Sequence, residues 1–230
     1  MRSQSLKAKG RRWQQEVAFE LKKIFPHLDG NDVLSRPMGS QGSDLILSPL
    51  AQIVLPYDFE MKNQEKSKIW EDLRQSEVRL ETQYMYPILM LKHNHMPKNM
   101  KSGIAILPFG HFCSLLMQHV NTIPIDHMMS ARAVIEMMYG HNMPPMNITE
   151  MFYQALVDLT TVMTGYTTRV SNYTLHIDGH ESIRIYHGKT MNIYAEFTGQ
   201  PMVFNRDDPD HVIYIAITAS TFYRLLSKIK

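Results

Sequence analysis

Apolar side chains recur with helical and extended spacing through the first half of the chain. Residues 11–25 carry them three or four positions apart, from Trp13 to Ile24, which predicts a helix that ends before Pro26. The elements predicted after it are strands over residues 33–36, 44–47 and 53–63, a helix over 66–82, strands over 84–91 and 104–107, and a helix over 109–120. The predicted order is helix, three strands, helix, two strands, helix.

The second half has a different pattern, which predicts a separate unit. A stretch rich in Met and Pro, residues 121–146, is typical of a connector and includes a short helical pattern over 128–139. After it come a helix over 148–163, strand-like runs over 173–177, 182–187, 190–197 and 212–218, and a final helix. This order predicts an α+β module of antiparallel strands. We therefore expect three parts, residues 1–120, 121–146 and 147–230, without an internal repeat.

Composition indicates a globular protein inside the cell. Of the 230 residues, 44% are apolar and 20% charged, and no apolar run approaches the roughly 18 residues that cross a membrane. The basic N-terminus lacks a following apolar stretch, so we expect no signal peptide. The single cysteine, Cys113, is expected in the core and suits a reducing compartment. We therefore expect an intracellular, cytoplasmic protein with no membrane contact.

Charge is divided unevenly between the two halves. Residues 1–119 carry 16 Lys and Arg against 12 Asp and Glu, whereas residues 120–230 carry 8 against 10. The first half is therefore the positive one, which favours a polyanionic partner. Its candidates for holding phosphates are the basic residues near the proposed site: Lys9, Arg11, Arg12, Arg36, Lys66 and Lys68. A solvated rim is an equally good interpretation of these residues.

The segment from Tyr57 to Lys62 alternates apolar and charged side chains. Because successive side chains of a strand point to opposite faces, Phe59 and Met61 are expected in the core, and Asp58, Glu60 and Lys62 on the other face. Charges at the end of an apolar strand are costly unless they are paired, hydrated or bound to metal. The alternation therefore predicts a charged functional site.

Asp44 begins the strand predicted before this one, directly after a glycine-rich turn. If the two strands pair as a hairpin, Asp44 approaches Glu60, and the two carboxylates with the backbone carbonyl of Met61 supply the oxygen ligands that Mg²⁺ prefers. Such an ion suits phosphodiester hydrolysis, with Lys62 orienting the nucleophile or neutralising developing charge. Glu16 is a further candidate ligand, directly or through water.

The candidate residues follow one another in a recognisable order. Lys9-Gly10-Arg11 and Glu16 come first, then Gly42-Ser43-Asp44, then Glu60-Met61-Lys62 and a helix. Over residues 5–120 this order resembles the PD-(D/E)XK, or restriction-endonuclease-like, nuclease superfamily, with the closest likeness to archaeal and phage Holliday junction resolvases. The resemblance implies an α/β fold with a central mixed sheet flanked by helices, and dependence on Mg²⁺ or Mn²⁺.

The resemblance also implies roles for individual residues. Glu16, Asp44 and Glu60 are the acidic ligands, Lys62 is the catalytic lysine and Ser43 belongs to the active-site loop. Gln64 is expected to position Lys62, because it lies two residues further along the chain on the same face. Asp58 has no counterpart in the motif, so we expect a surface role for it.

A resolvase implies a homodimer that cuts branched DNA with paired nicks in a bacterial, archaeal or phage-infected cell, without a small-molecule cofactor. Residues 147–230 are then expected to serve dimerisation, or substrate or partner binding. Two alternatives remain open. One is a catalytically inactive nuclease-fold protein that binds nucleic acid or assembles with partners, and the other is a sequence-specific or nicking endonuclease.

Overall fold

The computed structural model describes residues 2–66, 68–80, 85–117, 130–140, 145–188, 191–206 and 208–229. Its helices are α1 (Arg2–Ile24), α2 (Pro49–Val54), α3 (Ile69–Leu80), α4 (Phe109–Met117), α5 (Ala131–Tyr139), α6 (Ile148–Thr164), α7 (Ile193–Glu196) and α8 (Ala219–Leu226). Its strands are β1 (Val33–Ser35), β2 (Leu45–Leu47), β3 (Tyr57–Asn63), β4 (Tyr86–Lys92), β5 (Ile104–Pro108), β6 (Thr168–Ser171), β7 (Thr174–Ile177), β8 (Ile183–His187), β9 (Met202–Asn205) and β10 (Tyr214–Thr218). No helix in these ranges is long and apolar enough to cross a membrane.

Eight strands form one mixed sheet in the order β3-β4-β5-β10-β9-β8-β7-β6, and β1 pairs with β2 separately. Neighbours in the large sheet are antiparallel except for β3 with β4 and β8 with β9, which are parallel. The expected α/β class, with a mixed central sheet flanked by helices, is confirmed. The sequence predicted that all strands of residues 147–230 are antiparallel. This prediction is wrong, because β8 and β9 run in the same direction.

The sheet carries an apolar cluster on each face, because side chains alternate along every strand. On the face that we call the four-helix face, Phe59 and Met61 of β3 pack with α1, α4, α6 and α8. On the opposite face, which we call the α3 face, Leu89 and Leu91 of β4 pack with α3 and α7. Each fully buried Leu or Phe of these clusters contributes roughly 1.5–3 kcal/mol of transfer free energy.

The two predicted units meet in one sheet rather than forming a sheet each. Strand β5 of the first pairs with β10 of the second, and Ile106 lies opposite Ala216. In the predicted connector, residues 121–129 and 141–144 lie outside the described residues, and Ala131–Tyr139 is helix α5, which has Ser130 as its N-cap. The element order α-β-β-β-α-β-β-α occurs twice, once from α1 to α4, with α2 added, and once from α6 to α8. The sequence-based expectation of no internal repeat is therefore wrong at the level of topology.

Two predicted strands are wholly or partly helical. Residues 49–54, of which 53 and 54 were expected in a strand, form α2 because Pro49 occupies the first turn and the Ser48 hydroxyl accepts the backbone N–H of Ala51. In the run 190–197, the described residues contain α7, a single short turn. Strands β6 and β9, of four residues each, were not predicted.

Gly103 lies where α1, β4 and α8 come together. Its φ is +95°, and a Cβ there would lie 2.8 Å from the Leu91 carbonyl oxygen and 2.8 Å from the Trp13 ring. Its own carbonyl accepts the N–H of Ala219, the first residue of α8, at 2.9 Å. The position therefore requires glycine both for backbone conformation and for space.

We predict that Gly103→Ala lowers the free energy of unfolding by about 2–4 kcal/mol, because it adds a strained backbone conformation to a steric overlap. Gly30→Ala is the matched control, since no atom lies within 4 Å of its added Cβ. Urea unfolding of both variants checks the prediction. Equal stability of the two would contradict the close approach at Gly103.

Candidate active site

Strand β3 forms one edge of the large sheet and positions the charged residues of the site. It pairs in parallel with β4, and Glu60 lies beside Leu89. Phe59 and Met61 are buried on the four-helix face, whereas Asp58, Glu60 and Lys62 take the alternate positions, on the α3 face. The structure therefore has the alternation that the sequence indicated.

Asp44 reaches this edge through hydrogen bonds to β3. Its backbone N–H donates to the Phe59 carbonyl at 2.8 Å, and its Oδ2 accepts the backbone N–H of Met61 at 2.6 Å. Ser43 accepts the N–H of Phe59 with its hydroxyl oxygen at 3.0 Å. The predicted hairpin between the two strands is wrong, because β2 pairs with β1. The contact that mattered, between the start of β2 and the middle of β3, is nevertheless present.

A buried amide holds the other oxygen of Asp44. Gln14 of α1 donates from Nε2 to Oδ1 at 2.7 Å, and Gln14 is itself buried. Burial, followed by the negative charge of Glu60, raises the pKa of Asp44 to about 6. Two carboxylates thus share a region of negative potential that a cation would relieve.

Glu60 lies between two cations. Its Oε1 is 2.6 Å from Lys62 Nζ, and its Oε2 accepts from Arg79 Nη1 at 2.8 Å. Arg79, from α3, also binds Asp58, with 2.5 Å between Nη2 and Oδ1. Asp58 is only 3% exposed, so the surface role expected for it is wrong: its carboxylate anchors the arginine that contacts Glu60.

Helix α3 supplies two further partners for the lysine. Lys62 Nζ donates to Gln75 Oε1 at 3.2 Å and lies 3.6 Å from the Asp72 carboxylate. Burial alone lowers the pKa of Lys62, but hydrogen bonding and charge from Glu60 more than offset it, and the pKa is raised. The lysine is therefore held as a cation.

Glu16 and Gln64 lie apart from this cluster. Glu16 forms an ion pair with Lys92 at the end of β4, and the α1 residue that touches Asp44 is Gln14. Gln64 lines a separate cavity of about 510 Å³ with Lys9 and His93. The structure thus gathers Ser43, Asp44, Glu60 and Lys62, and places the other two candidates outside the shared contacts.

Open cavities surround the cluster. Asp44 and Glu60 line one of about 420 Å³, which continues past Arg79 into another of about 760 Å³. Arg36 lines the larger cavity, and its Nε donates to the Ser43 carbonyl at 2.6 Å. The remaining basic candidates, Arg11, Arg12, Lys66 and Lys68, are exposed, and Lys68 pairs with Glu71.

The donor set at β3 fits a hard divalent cation. Each oxygen of Asp44 keeps a lone pair beyond the hydrogen bond it accepts. The carbonyl of Met61 points to the same side as its N–H, toward Asp44, because the two groups of one strand residue share a direction. Within the described residues, no three His, Cys, Asp or Glu side chains are grouped to hold a metal by themselves. The candidate ligands are therefore two carboxylates and a carbonyl, with water completing the shell.

No protein-family model, curated protein or solved structure matches this chain. The likeness to PD-(D/E)XK nucleases therefore remains a prediction from the residues quoted above. Sequence reasoning missed Gln14 and Arg79, because nothing in their local pattern distinguishes them from other helical residues. The sequence did contain a signal for Asp58, because the alternation along this strand predicts that Asp58 and Glu60 lie on the same face.

We predict that Asp44 titrates near pH 6 and that Glu60→Gln lowers its pKa, because the substitution removes the neighbouring negative charge. The folded chain binds more protons than the unfolded chain between about pH 4 and 6, so this group lowers the free energy of unfolding as pH rises through that window. Carboxyl NMR titration measures the pKa directly. Asp32, whose pKa the Ser48 hydroxyl lowers, serves as internal reference. A normal pKa for Asp44 would contradict its burial beside Glu60.

Proposed function

We propose that this protein is a metal-dependent endonuclease that hydrolyses phosphodiester bonds in branched or otherwise structured DNA, with a PD-(D/E)XK site on a restriction-endonuclease-like core. One observation carries the proposal. The Asp44 carboxylate accepts the N–H of Met61, the residue between Glu60 and Lys62, so the two halves of the motif are joined by a hydrogen bond. Asp44 and Glu60, which are 16 positions apart in sequence, thereby belong to one charged cluster.

The division of labour follows from the contacts. Asp44, Glu60 and the Met61 carbonyl would hold Mg²⁺ or Mn²⁺, which supplies Lewis acidity and an activated water when bound. Lys62, kept protonated by Glu60, is suited to neutralise charge on the phosphate or to orient the nucleophile. Gln75 directs the ammonium from α3, and Gln14 fixes the orientation of Asp44.

Arg79 adds a constraint on metal entry. Lys62 and Arg79 each occupy one oxygen of Glu60, so a cation binding Glu60 competes with both. Arg79 also donates from Nε to both oxygens of Asp58. Asp58 would therefore hold the guanidinium in place if a cation displaced it from Glu60. Asp58 and Arg79 are thus positioning residues for Glu60.

Each of two cavities beside the site has a basic residue in its lining that is available to a DNA phosphate. Arg36 faces the larger cavity and Lys9 the cavity at the end of β3. Contacts of this kind position a duplex without reading its sequence. They favour recognition by DNA shape, in keeping with a structured substrate.

We predict that Lys62→Ala reduces DNA cleavage by about 100-fold or more, because removing one preorganised charge from a hydrolytic site has a cost of that order. Labelled four-way junction, flap, duplex and single strand are incubated with Mg²⁺, Mn²⁺ or EDTA. Lys23→Ala is the matched control, since Lys23 makes an exposed ion pair with Glu20. Metal-independent cutting, or full activity of Lys62→Ala, would overturn the assignment.

We predict that Mg²⁺ or Mn²⁺ at ten times its dissociation constant stabilises the wild-type fold by about 1.4 kcal/mol, which raises the Tm by about 3–6 °C. Glu60→Gln should lose this shift, whereas Glu20→Gln, at the exposed pair, should keep it. Differential scanning calorimetry of the three proteins gives the answer. No shift in any of them, together with no cutting, would favour a non-catalytic nucleic-acid-binding protein.

A further inference from the structure

The two repeats of the element order are related by an approximate two-fold axis through the middle of the sheet. Strands β5 and β10 lie side by side and antiparallel, each is followed at once by a helix, and Ile106 pairs with Ala216. Outward from this pair, β4 and β9 are each antiparallel to the central strand, and β3 and β8 are each parallel to the next. The order of directions is the same in both halves.

The pairing registers identify equivalent positions. Leu89 lies opposite Ile106, and Met202 lies opposite Ala216, so Leu89 and Met202 correspond. Glu60 lies beside Leu89, and Arg184 lies beside Met202. Arg184 is therefore the counterpart of Glu60. By the same registers, Tyr186 is the counterpart of Lys62.

Burial agrees with this correspondence on both faces. The neighbours of Arg184, Ile183 and Ile185, belong to the four-helix face, as do Phe59 and Met61. The closing helices match as well: Phe112, Leu115 and Leu116 of α4 correspond to Phe222, Leu225 and Leu226 of α8. Helix α4 packs on α6 and α8 packs on α1, as a two-fold axis requires.

The described residues of the second half do not repeat the two carboxylates of the site at the corresponding positions. Met61 donates its N–H to the Asp44 side chain, whereas its counterpart Ile185 donates to the backbone carbonyl of Tyr173 at 2.8 Å. The candidate metal ligands Asp44 and Glu60 are thus replaced by a plain strand contact and an arginine. A hydrolytic site of the kind proposed above is present in the first half and not in the described residues of the second.

Basic side chains occupy the equivalent surface instead. Arg184 pairs with Thr174, two residues before His176, and His176 pairs with Arg169, so these side chains share the α3 face. Arg169 is exposed, and Arg184 is fixed by donating from Nη1 to the Glu196 carbonyl at 3.0 Å. His176 lies between the hydroxyls of Ser171 and Ser182, 3.0 Å from each. Guanidinium groups with hydroxyls are the donors that bind phosphate.

We propose that this surface, formed by Arg169, His176 and Arg184 on β6 to β8, is a second DNA-binding site that holds phosphates without cutting them. Strands β3 and β8 are five strand spacings apart in the sheet order, or roughly 24 Å at about 4.8 Å per spacing. That separation spans about seven base pairs at 3.4 Å each. Two arms of a branched DNA therefore fit the two related surfaces.

One consequence distinguishes this arrangement from a homodimer, and it rests on the nuclease function proposed above. A homodimer carries two cutting sites and makes paired nicks, whereas this chain has one cutting site and one holding site. A single chain that holds one DNA through both surfaces therefore makes a single nick in it.

Binding is tested in EDTA, where no cutting interferes. Arg169→Glu should weaken binding of a labelled four-way junction at least tenfold and reduce the slope of log Kd against log salt by about 1. Arg224→Glu makes the same charge change at an exposed residue of α8, on the four-helix face. It should leave the affinity and the salt slope unchanged. Equal affinity of Arg169→Glu and Arg224→Glu, or no DNA binding by the wild type, would overturn the second site.

Cutting is tested on a supercoiled plasmid carrying an extruded cruciform, with protein limiting and Mg²⁺ present. A single nick releases the cruciform and gives open circles, whereas paired nicks give linear DNA. Open circles as the first product support one chain acting on each junction, and linear DNA as the first product, which two chains acting together give, refutes it. If the wild type cuts nothing but Arg169→Glu still weakens binding, the nuclease assignment fails and the second DNA-binding site stands.

Discussion

The antiparallel pairing of β5 with β10 is the constraint on which the rest of the molecule depends. These strands are buried on both faces and connect the two halves through a continuous ladder of backbone hydrogen bonds. The parallel pair β3–β4 lies on one side of them and the parallel pair β9–β8 on the other. The sheet therefore fixes the distance between the edge strand β3 and its counterpart β8, and directs Glu60 and Arg184 to the same face. The candidate site owes its position to this ladder, although none of its residues lies on β5 or β10.

In the candidate site, neighbouring positive charges offset the buried negative charges. Asp58 and Glu60 are buried carboxylates, and such groups are tolerated only when paired. Lys62 and Arg79 supply the pairing, and each is only partly exposed. Among the described residues, Asp44 accepts hydrogen bonds from amide N–H groups and not from a cation, and burial together with the charge of Glu60 raises its pKa.

Local sequence pattern was enough to predict the long elements and the charged face of β3. Periodicity gave α1, α3 and α6 because each buries one face over several turns, and α6 is further defined by the capping box of Asn147 and Glu150. The contact of Asp44 with β3 was expected from pairing of the two strands, but its geometry was not. Besides one backbone hydrogen bond from Asp44 to Phe59, the bonds run from β3 to the side chains of Ser43 and Asp44. Arg79 and Gln14 were beyond reach because tertiary packing alone brings them to the site. The repeat could not be predicted from the sequence, because the two halves share only a few apolar residues, in α4 and α8. Corresponding strand positions are buried in both halves but carry different residues.

The hydrogen bond from Met61 to Asp44 has a second effect, on association between chains. Strand β3 is a sheet edge, and exposed edges invite pairing with strands of other molecules. Ser43 and Asp44 accept hydrogen bonds from the backbone N–H groups of Phe59 and Met61, so these outward donors in the middle of β3 are already paired. A substitution that removes the Asp44 carboxylate therefore also reopens a template for edge-to-edge aggregation, and loss of solubility in such a variant has a cause separate from any loss of chemistry.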